Sequence, residues 1–190
     1  MKQILKRTLT LTTVFLLSVT LHAANGVDAS KSQVKWTGYG VGKSHWGHVG
    51  VKSADVSFKE GNLEKGKIVI DLTTIKTKDI EGEWADKLDG HLKNADFFDV
   101  EKFPTATFET TSVKKDGDKY ALKGKLTIKG KTESMTLNLS KKDKTLTGKF
   151  TFDRSKFDVK YQSKSFFDLE KLGDKLIKDM IDMEITLALK

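Results

Sequence analysis

Apolar side chains return at every second residue along eight separate stretches of this chain, a period that fits a strand with one buried face and no other regular structure. The first runs through Val34 and Trp36. The second holds Val49 and Val51 and then Ala54, Val56 and Phe58; the third Ile68, Ile70 and Leu72; the fourth Ala106 and Phe108. Tyr120, Leu122, Leu126 and Ile128 mark a fifth, Met135, Leu137 and Leu139 a sixth, Leu146, Phe150 and Phe152 a seventh, and Met183, Ile185, Leu187 and Leu189 an eighth. Turn signals at Gly61-Asn62, Asp116-Gly117-Asp118 and Asp143 separate neighbours in the manner of hairpins. In the second stretch the apolar parity changes from odd to even, which needs one inserted residue. A β-bulge is therefore predicted at Lys52-Ser53, a device that curves sheets. Eight such strands leave two edges to hide, and pairing the first with the last hides both. The predicted class is all-β, an eight-stranded antiparallel barrel, with a two-sheet sandwich as the alternative.

Two stretches break the alternation. Asp79 to Leu92 is polar with Trp84, Leu88 and Leu92 four apart, which predicts a short helix. It runs into Lys87–Pro104, which holds three phenylalanines, His91 and the chain's one proline; Pro104 biases Phe103 toward an extended backbone that leads into the fourth strand. Leu169, Leu172, Leu176 and Met180 recur at helical spacing and predict a second helical insertion, weakened by Gly173.

Ahead of the strands, Lys2, Lys6 and Arg7 precede an apolar run from Leu9 to Leu21 that ends in Leu-His-Ala-Ala. That run is too short to span a bilayer, which takes about 20 residues. Residues 1–23 are read as a signal peptide cleaved after Ala23, residues 24–190 as one domain, and the location as periplasmic. The chain contains no cysteine, so neither a lipoprotein anchor nor a disulfide framework is available. Cleavage removes three basic residues and lowers the formal charge from +8 to +5. Arg154 is then the single arginine, and the lysines are interleaved with Asp and Glu. This reads as a solvated surface, not the clustered Arg-rich face of a nucleic-acid reader.

Strand parity nominates Val51, Ile68, Ile70, Phe108, Leu122, Leu126, Leu137, Phe150, Phe152, Ile185 and Leu187 for the barrel interior. On the first strand Trp36 is followed at the same parity by Gly38, Gly40 and Gly42, so that face loses its side chains, and either the strand bends there or a ligand approaches its backbone; an occupied lumen is the favoured reading. Arg154 shares the parity of Phe150 and Phe152 and would point inward. A buried guanidinium needs a partner, either a carboxylate such as Asp153 or Asp158 or the anionic head of a ligand.

The motifs that could carry catalysis are weak. Gly42-Lys43-Ser44 lacks the first glycine of a phosphate loop, because Thr37 stands in its place. His45 and His48 would face opposite sides of a strand, and His91 lies far away in sequence, so structural roles are expected and no metal is assigned. Asp86 and Asp89 read as solvent-facing or helix-capping carboxylates. No serine sits in a Gly-x-Ser-x-Gly elbow.

Longer motifs say more. Leu126-Thr127-Ile128-Lys129-Gly130-Lys131-Thr132, Leu88 through Asp99 with Phe103-Pro104-Thr105-Ala106-Thr107-Phe108, and Phe152 through Phe157 resemble the YceI family of bacterial periplasmic proteins. His48-Val49-Gly50 and Leu172-Gly173-Asp174-Lys175 fall in the same order, so the resemblance runs over essentially all of residues 24–190. It implies a lipocalin-like, eight-stranded antiparallel barrel with two short helical insertions, and a long apolar cavity for polyisoprenoids or similar lipids. Gln162 and Lys164 depart from the family pattern, in which glycines are usual. The expected function is a secreted, non-enzymatic carrier or sequestering protein for an isoprenoid chain, an isoprenoid quinone or another long-chain amphiphile, without a cofactor. The rival is an enzyme that uses His45, His48 or His91 on a lipid or small molecule in the cavity. Transient membrane contact and a homodimer are both compatible with such a chain.

Overall fold

A computed structural model describes residues 26–190, so the leader lies outside the described residues. Eight strands follow in order: β1 (Val27–Tyr39), β2 (Ser44–Lys59), β3 (Asn62–Thr77), β4 (Thr105–Asp116), β5 (Lys119–Ile128), β6 (Lys131–Lys142), β7 (Thr145–Asp153) and β8 (Met180–Leu189). Each pairs antiparallel with its neighbour and β8 returns to β1, giving a closed barrel without a sheet edge. Val34, opposite both Val49 of β2 and Ile185 of β8, is buried and shows how the closing register brings three inward positions together.

The parity change in β2 is resolved as the sequence requires. Val51 lies opposite Ile70 and Ser53 opposite Val69, so Lys52 is left without a partner and both apolar sets face inward. A larger irregularity lies opposite, where β3 inserts Leu72–Ile75 between the pairs Gly50–Asp71 and His48–Lys76. Asp71 stabilises that excursion by accepting from the Thr73 backbone and hydroxyl, while the Thr74 hydroxyl accepts from the Gly50 N–H. At the foot of the barrel, Glu60 and Gly61 both have positive φ, the tight two-residue turn that matches strand twist.

Strands β1, β3, β5 and β7 end at the same rim, and the long connections lie there. Helix α1 (Gly82–Lys93) and the segment up to Pro104 join β3 to β4; residues 154–179, with helix α2 (Leu169–Leu172), join β7 to β8. Asp89 fastens α1 to the barrel: it accepts from the Thr77 N–H at 2.7 Å and pairs with Lys76 at 2.8 Å. Lys129, in the tight turn between β5 and β6, donates to the carbonyls of Ala95, Phe97 and Asp158 and so ties both rim connections to one point.

Several expectations are corrected here. Trp84 does not belong to the buried stripe of α1; it is 72% exposed, and the buried positions are Ala85, Asp89 and Leu92. Asp89 shifted the stripe because its hydrogen bonds require it to face the barrel, so it is not solvent-facing. The second helix covers four residues, with a 3₁₀ turn over Gly173–Lys175, and Met180 opens β8 instead of extending the helix. Gly173 breaks the helical run, its φ of 48° being one that few residues other than glycine tolerate.

Candidate ligand-binding site

The barrel interior divides along its axis. In the lower part Leu122, Leu139, Leu146 and Leu187 are essentially inaccessible and pack against Tyr120, Val56 and Leu63 in a continuous core. In the upper part the walls stand apart around a cavity lined by Val34, Trp36, Val49, Ile68, Ile70, Leu72, Ile75, Phe98, Ala106, Thr107, Phe108, Leu126, Ile128, Met135, Leu137, Phe150, Phe152, Met183 and Ile185. All but Thr107 are apolar. The cavity holds about 780 Å³ of space free of protein atoms, its opening included. Its wall offers almost no polar group to a ligand.

Of the residues nominated from parity, Trp36, Ile68, Ile70, Phe108, Leu126, Leu137, Phe150, Phe152 and Ile185 are brought together in this cavity. Leu122 and Leu187 face inward but belong to the solid lower core, and Val51 is buried in the same core cluster outside the cavity wall. Strand parity tells inside from outside but not filled from empty. Ten further residues line the cavity; some, such as Val49, Met135 and Met183, share parity with nominated neighbours, whereas Phe98 arrives from the α1–β4 connection, which periodicity cannot place.

Gly38 and Gly40 lie above the cavity, in a second pocket at the mouth. Trp36 lines both spaces. The mouth pocket is bounded by the end of β1, by Leu88, His91 and Leu92 of α1, by Phe97, and by Gln162 and residues Asp174–Ile177. Gly42 is in the β1–β2 turn with φ of 66° and faces open space. Gln162 holds a φ of 48°, a left-handed backbone that glycine adopts more readily than glutamine.

Arg154 does not point into the cavity. The strand ends at Asp153, and Arg154 opens a 3₁₀ turn (Arg154–Phe157) that bends it into the protein, where it is 0% exposed. Its Nε, Nη1 and Nη2 donate to the carbonyls of Lys178, Val159 and Ile177 at 3.0–3.2 Å, and Nη2 lies 3.4 Å from Asp179. The pairing carboxylate is thus Asp179, not Asp153 or Asp158: Asp153 is occupied in accepting from Ser155, and Asp158 faces Lys160. Burial pushes the guanidinium below its ordinary value, and Asp179 and Asp153 oppose that.

The histidines are not assembled into one centre. His45 bonds Asp79 through Nδ1 at 2.9 Å; His48, at the opposite parity, faces Gln33 at 3.1 Å; His91 packs its ring against Tyr161 and Phe97. Of the three, only His45 and His91 share pocket walls, at the mouth and in a surface pocket beside α1 with Glu81, Trp84 and Lys87. Among the described residues no group of three or more His, Cys, Asp or Glu side chains could hold a metal ion. Burial lowers the pKa of His91, with Asp96 opposing and Arg154 reinforcing the shift. The Asp89 carboxyl, which burial alone would raise, lies below its usual value because Lys76 and the Thr77 N–H stabilise its charge.

A sequence model of the family described as YceI-like domain matches residues 26–189. The Protein YceI of Salmonella arizonae is 42% identical over 81 residues, 43% of this chain, and the match spans only 40% of that relative's length. The crystal structure of Burkholderia cenocepacia BcnA superimposes with a TM-score of 0.67 at 25% identity, covering 86% of this chain and 99% of that one. A polyisoprenoid binding domain from Saccharophagus degradans shares the fold, with a TM-score of 0.56 at 13% identity over 87% of this chain and 98% of that one.

Proposed function

This chain belongs to the YceI family, and from that premise we propose that it is an exported binding protein that holds an isoprenoid or similar long-chain lipid in the upper half of the barrel, as a carrier or a sequestering protein. The observation that supports this most directly is the cavity wall, apolar at every position but Thr107 and closed below by a solid core. Burying ten methylenes from water at about 0.8 kcal/mol each gives roughly 8 kcal/mol gross, enough for useful affinity even after the cost of association. A solved relative in the fold, the Saccharophagus degradans domain, is described as polyisoprenoid binding. The leader supports a periplasmic location.

The reading includes transient contact with a membrane. The exposed large apolar side chains among the described residues, Val41, Trp84, Phe166, Phe167, Leu169 and Met180, all lie at the mouth end of the barrel. Lys87 sits 4.9 Å over the Trp84 ring and Lys160 5.3 Å over Phe166, the pairing of aromatic and snorkelling amine suited to a lipid headgroup layer.

Organic extraction of the protein purified from the periplasm, followed by mass spectrometry, should yield a long-chain amphiphile in near-stoichiometric amount. An extract no richer than that of an unrelated periplasmic protein, together with failure to take up a fluorescent isoprenoid, would overturn the reading. Turnover of a lipid that disappears in His45→Gln or His91→Gln would replace it with the enzymatic one.

A further inference from the structure

The ring of strands is closed most thinly between β6 and β7. Four residue pairs join them, Leu139–Gly148, Ser140–Thr147, Lys141–Leu146 and Lys142–Thr145, all in the lower part of the barrel. Continuing that register upward would set Asn138 opposite Lys149, Leu137 opposite Phe150 and Thr136 opposite Thr151, and among the described residues none of these pairs is made. Each strand is held from its other side instead. The upper part of β6 pairs with β5 as far as Ile128–Lys131, and the upper part of β7 with β8 as far as Asp153–Met180, where Lys149 also bonds Glu184 at 3.0 Å and the Thr151 hydroxyl donates to Asp182 at 2.7 Å. The two strands part at Gly148. A Cβ there would collide with the Asn138 carbonyl oxygen and with Leu139 Cδ2, so the last rung before the parting requires glycine.

The slot this leaves borders the apolar cavity. Its inner edges carry Met135 and Leu137 from β6 and Phe150 and Phe152 from β7, all four in the cavity wall, and Met135 and Phe150 are only half-buried. Its outer edges carry Thr136 and Asn138, Lys149 and Thr151, all exposed, and backbone groups along the slot can be hydrated from that side. Below, the slot ends on the Leu139–Gly148 pair, where Leu139 belongs to the solid core; above, the 3₁₀ turn Arg154–Phe157 approaches β6, and Phe157 packs edge-on against Phe152. From Gly148 to Asp153 the strand rises about 17 Å, at about 3.3 Å per residue, and the tilt of a barrel strand makes the depth of the upper half less than that. A chain longer than this depth that enters at the mouth must fold back or leave sideways, because the core of Leu122, Leu139, Leu146 and Leu187 lets nothing pass below.

We propose that the β6–β7 slot is a second binding site, for the distal end of a linear isoprenoid chain longer than the cavity, which emerges there between Thr136 and Thr151 onto the outer face of the barrel. This assignment rests on the lipid-binding reading and extends, within it, the range of ligands to chains too long for the cavity alone. The head end still enters and leaves at the mouth, and the tail slides through the slot. Met135 suits the edge of such a passage, because its unbranched side chain repacks readily around a changing neighbour.

The test closes the slot and varies the chain. Farnesol, geranylgeraniol and solanesol share a terminal hydroxyl and differ in the number of isoprene units; each is delivered from cyclodextrin and competes against a fluorescent isoprenoid on the mature protein. The chain has no cysteine, so Asn138→Cys with Lys149→Cys places one disulfide across the first missing rung. Oxidation of that pair should leave farnesol within about twofold of the reduced form and weaken solanesol about tenfold, and reduction should restore it. Thr136→Cys carrying a bulky maleimide should show the same selective loss, and carrying a carbamidomethyl group should not; this variant decides the matter if the disulfide does not form. A diazirine at the distal end of a solanesyl chain should label Thr136, Asn138, Lys149 or Thr151, whereas one at the end of a farnesyl chain should label residues inside the cavity. Equal effects on short and long chains, no effect on solanesol in either blocked protein, or a solanesyl tip that labels the rim at residues 88–98 would overturn the slot. Failure of farnesol as well as solanesol to bind the parent protein would instead overturn the lipid-binding reading on which the slot depends.

Discussion

Replacing Arg154 with methionine decides whether the buried arginine serves the ligand or the scaffold. The substitution keeps much of the side-chain volume but removes all the donors. It leaves the carbonyls of Lys178, Val159 and Ile177 without their partner and strands the Asp179 carboxylate, 6% exposed, without its cation. Breaking a buried pair from one side costs about 3–5 kcal/mol. For a domain of this size about 2–4 °C is lost per kcal/mol, so the melting temperature should fall by roughly 6–20 °C. Adding Asp179→Asn to Arg154→Met removes the stranded charge and should recover part of the loss, a coupling that a double-mutant cycle measures. At 10 °C, where the variant remains folded, its affinity for a fluorescent isoprenoid should stay within about twofold of the parent, since Arg154 borders neither the cavity nor the mouth pocket. A variant that melts like the parent and has lost lipid binding would refute this reasoning and restore Arg154 as a head-group contact.

Acidification gives a second check. His91 and His48 are both held below the ordinary histidine value by burial, so the unfolded chain takes up these protons first. Stability should be full above the ordinary value of about 6.5 and decline as pH falls below it toward the folded values, with a smaller decline in His91→Gln; thermal melts from pH 7.5 to 5 read this out, and a parallel decline in both proteins would count against the His91 contribution. Gly47→Ala would drive a methyl group into the Lys76 carbonyl and the Trp36 ring, costing about 1–3 kcal/mol and weakening lipid uptake, whereas Gly38→Ala meets open space and should change stability by less than about 0.5 kcal/mol. The exported protein should begin at Ala24, measured by intact mass.

The sheet was legible because its buried face is apolar almost without exception, and because a change of parity such as that between Val51 and Ala54 has only one mechanical solution, the unpaired Lys52. The rim was less legible. Asp89 looks on paper like one more carboxylate of a polar helix, yet its bonds to Thr77 and Lys76 turn α1 by part of a turn and put Trp84 in solvent. Lys129 gives no sign in the sequence that it will bridge two connections through three carbonyls, because those carbonyls belong to backbone that only the fold brings together. Arg154 was correctly singled out as buried, but the strand ended one residue too early for parity to apply to it. The mouth pocket draws on β1, α1 and residues 162–177, and no single stretch carries a pattern for it.

The division of the interior has a mechanical consequence. A ligand site inside a core is normally in conflict with stability, because emptying it removes the contacts that hold the protein together. Here the lower core of Leu122, Leu139, Leu146 and Leu187 is complete without a ligand, while the upper half is closed by connections that Asp89 and Lys129 fasten at a few points. Release of a lipid then requires movement of the rim and not opening of the barrel. Lys129→Met removes three tethers to Ala95, Phe97 and Asp158 without touching the cavity or the lower core. Each is a charge-assisted bond worth about 1.5–3 kcal/mol when well formed, less at this partly exposed turn, so the rim should loosen well before the barrel unfolds. Hydrogen exchange should accelerate in residues 94–104 and 154–163 of Lys129→Met and stay slow in β5 and β8, and the rate of lipid transfer to vesicles should rise. Uniformly faster exchange over all eight strands would show that rim and barrel open together and that the lower core is not an independent foundation.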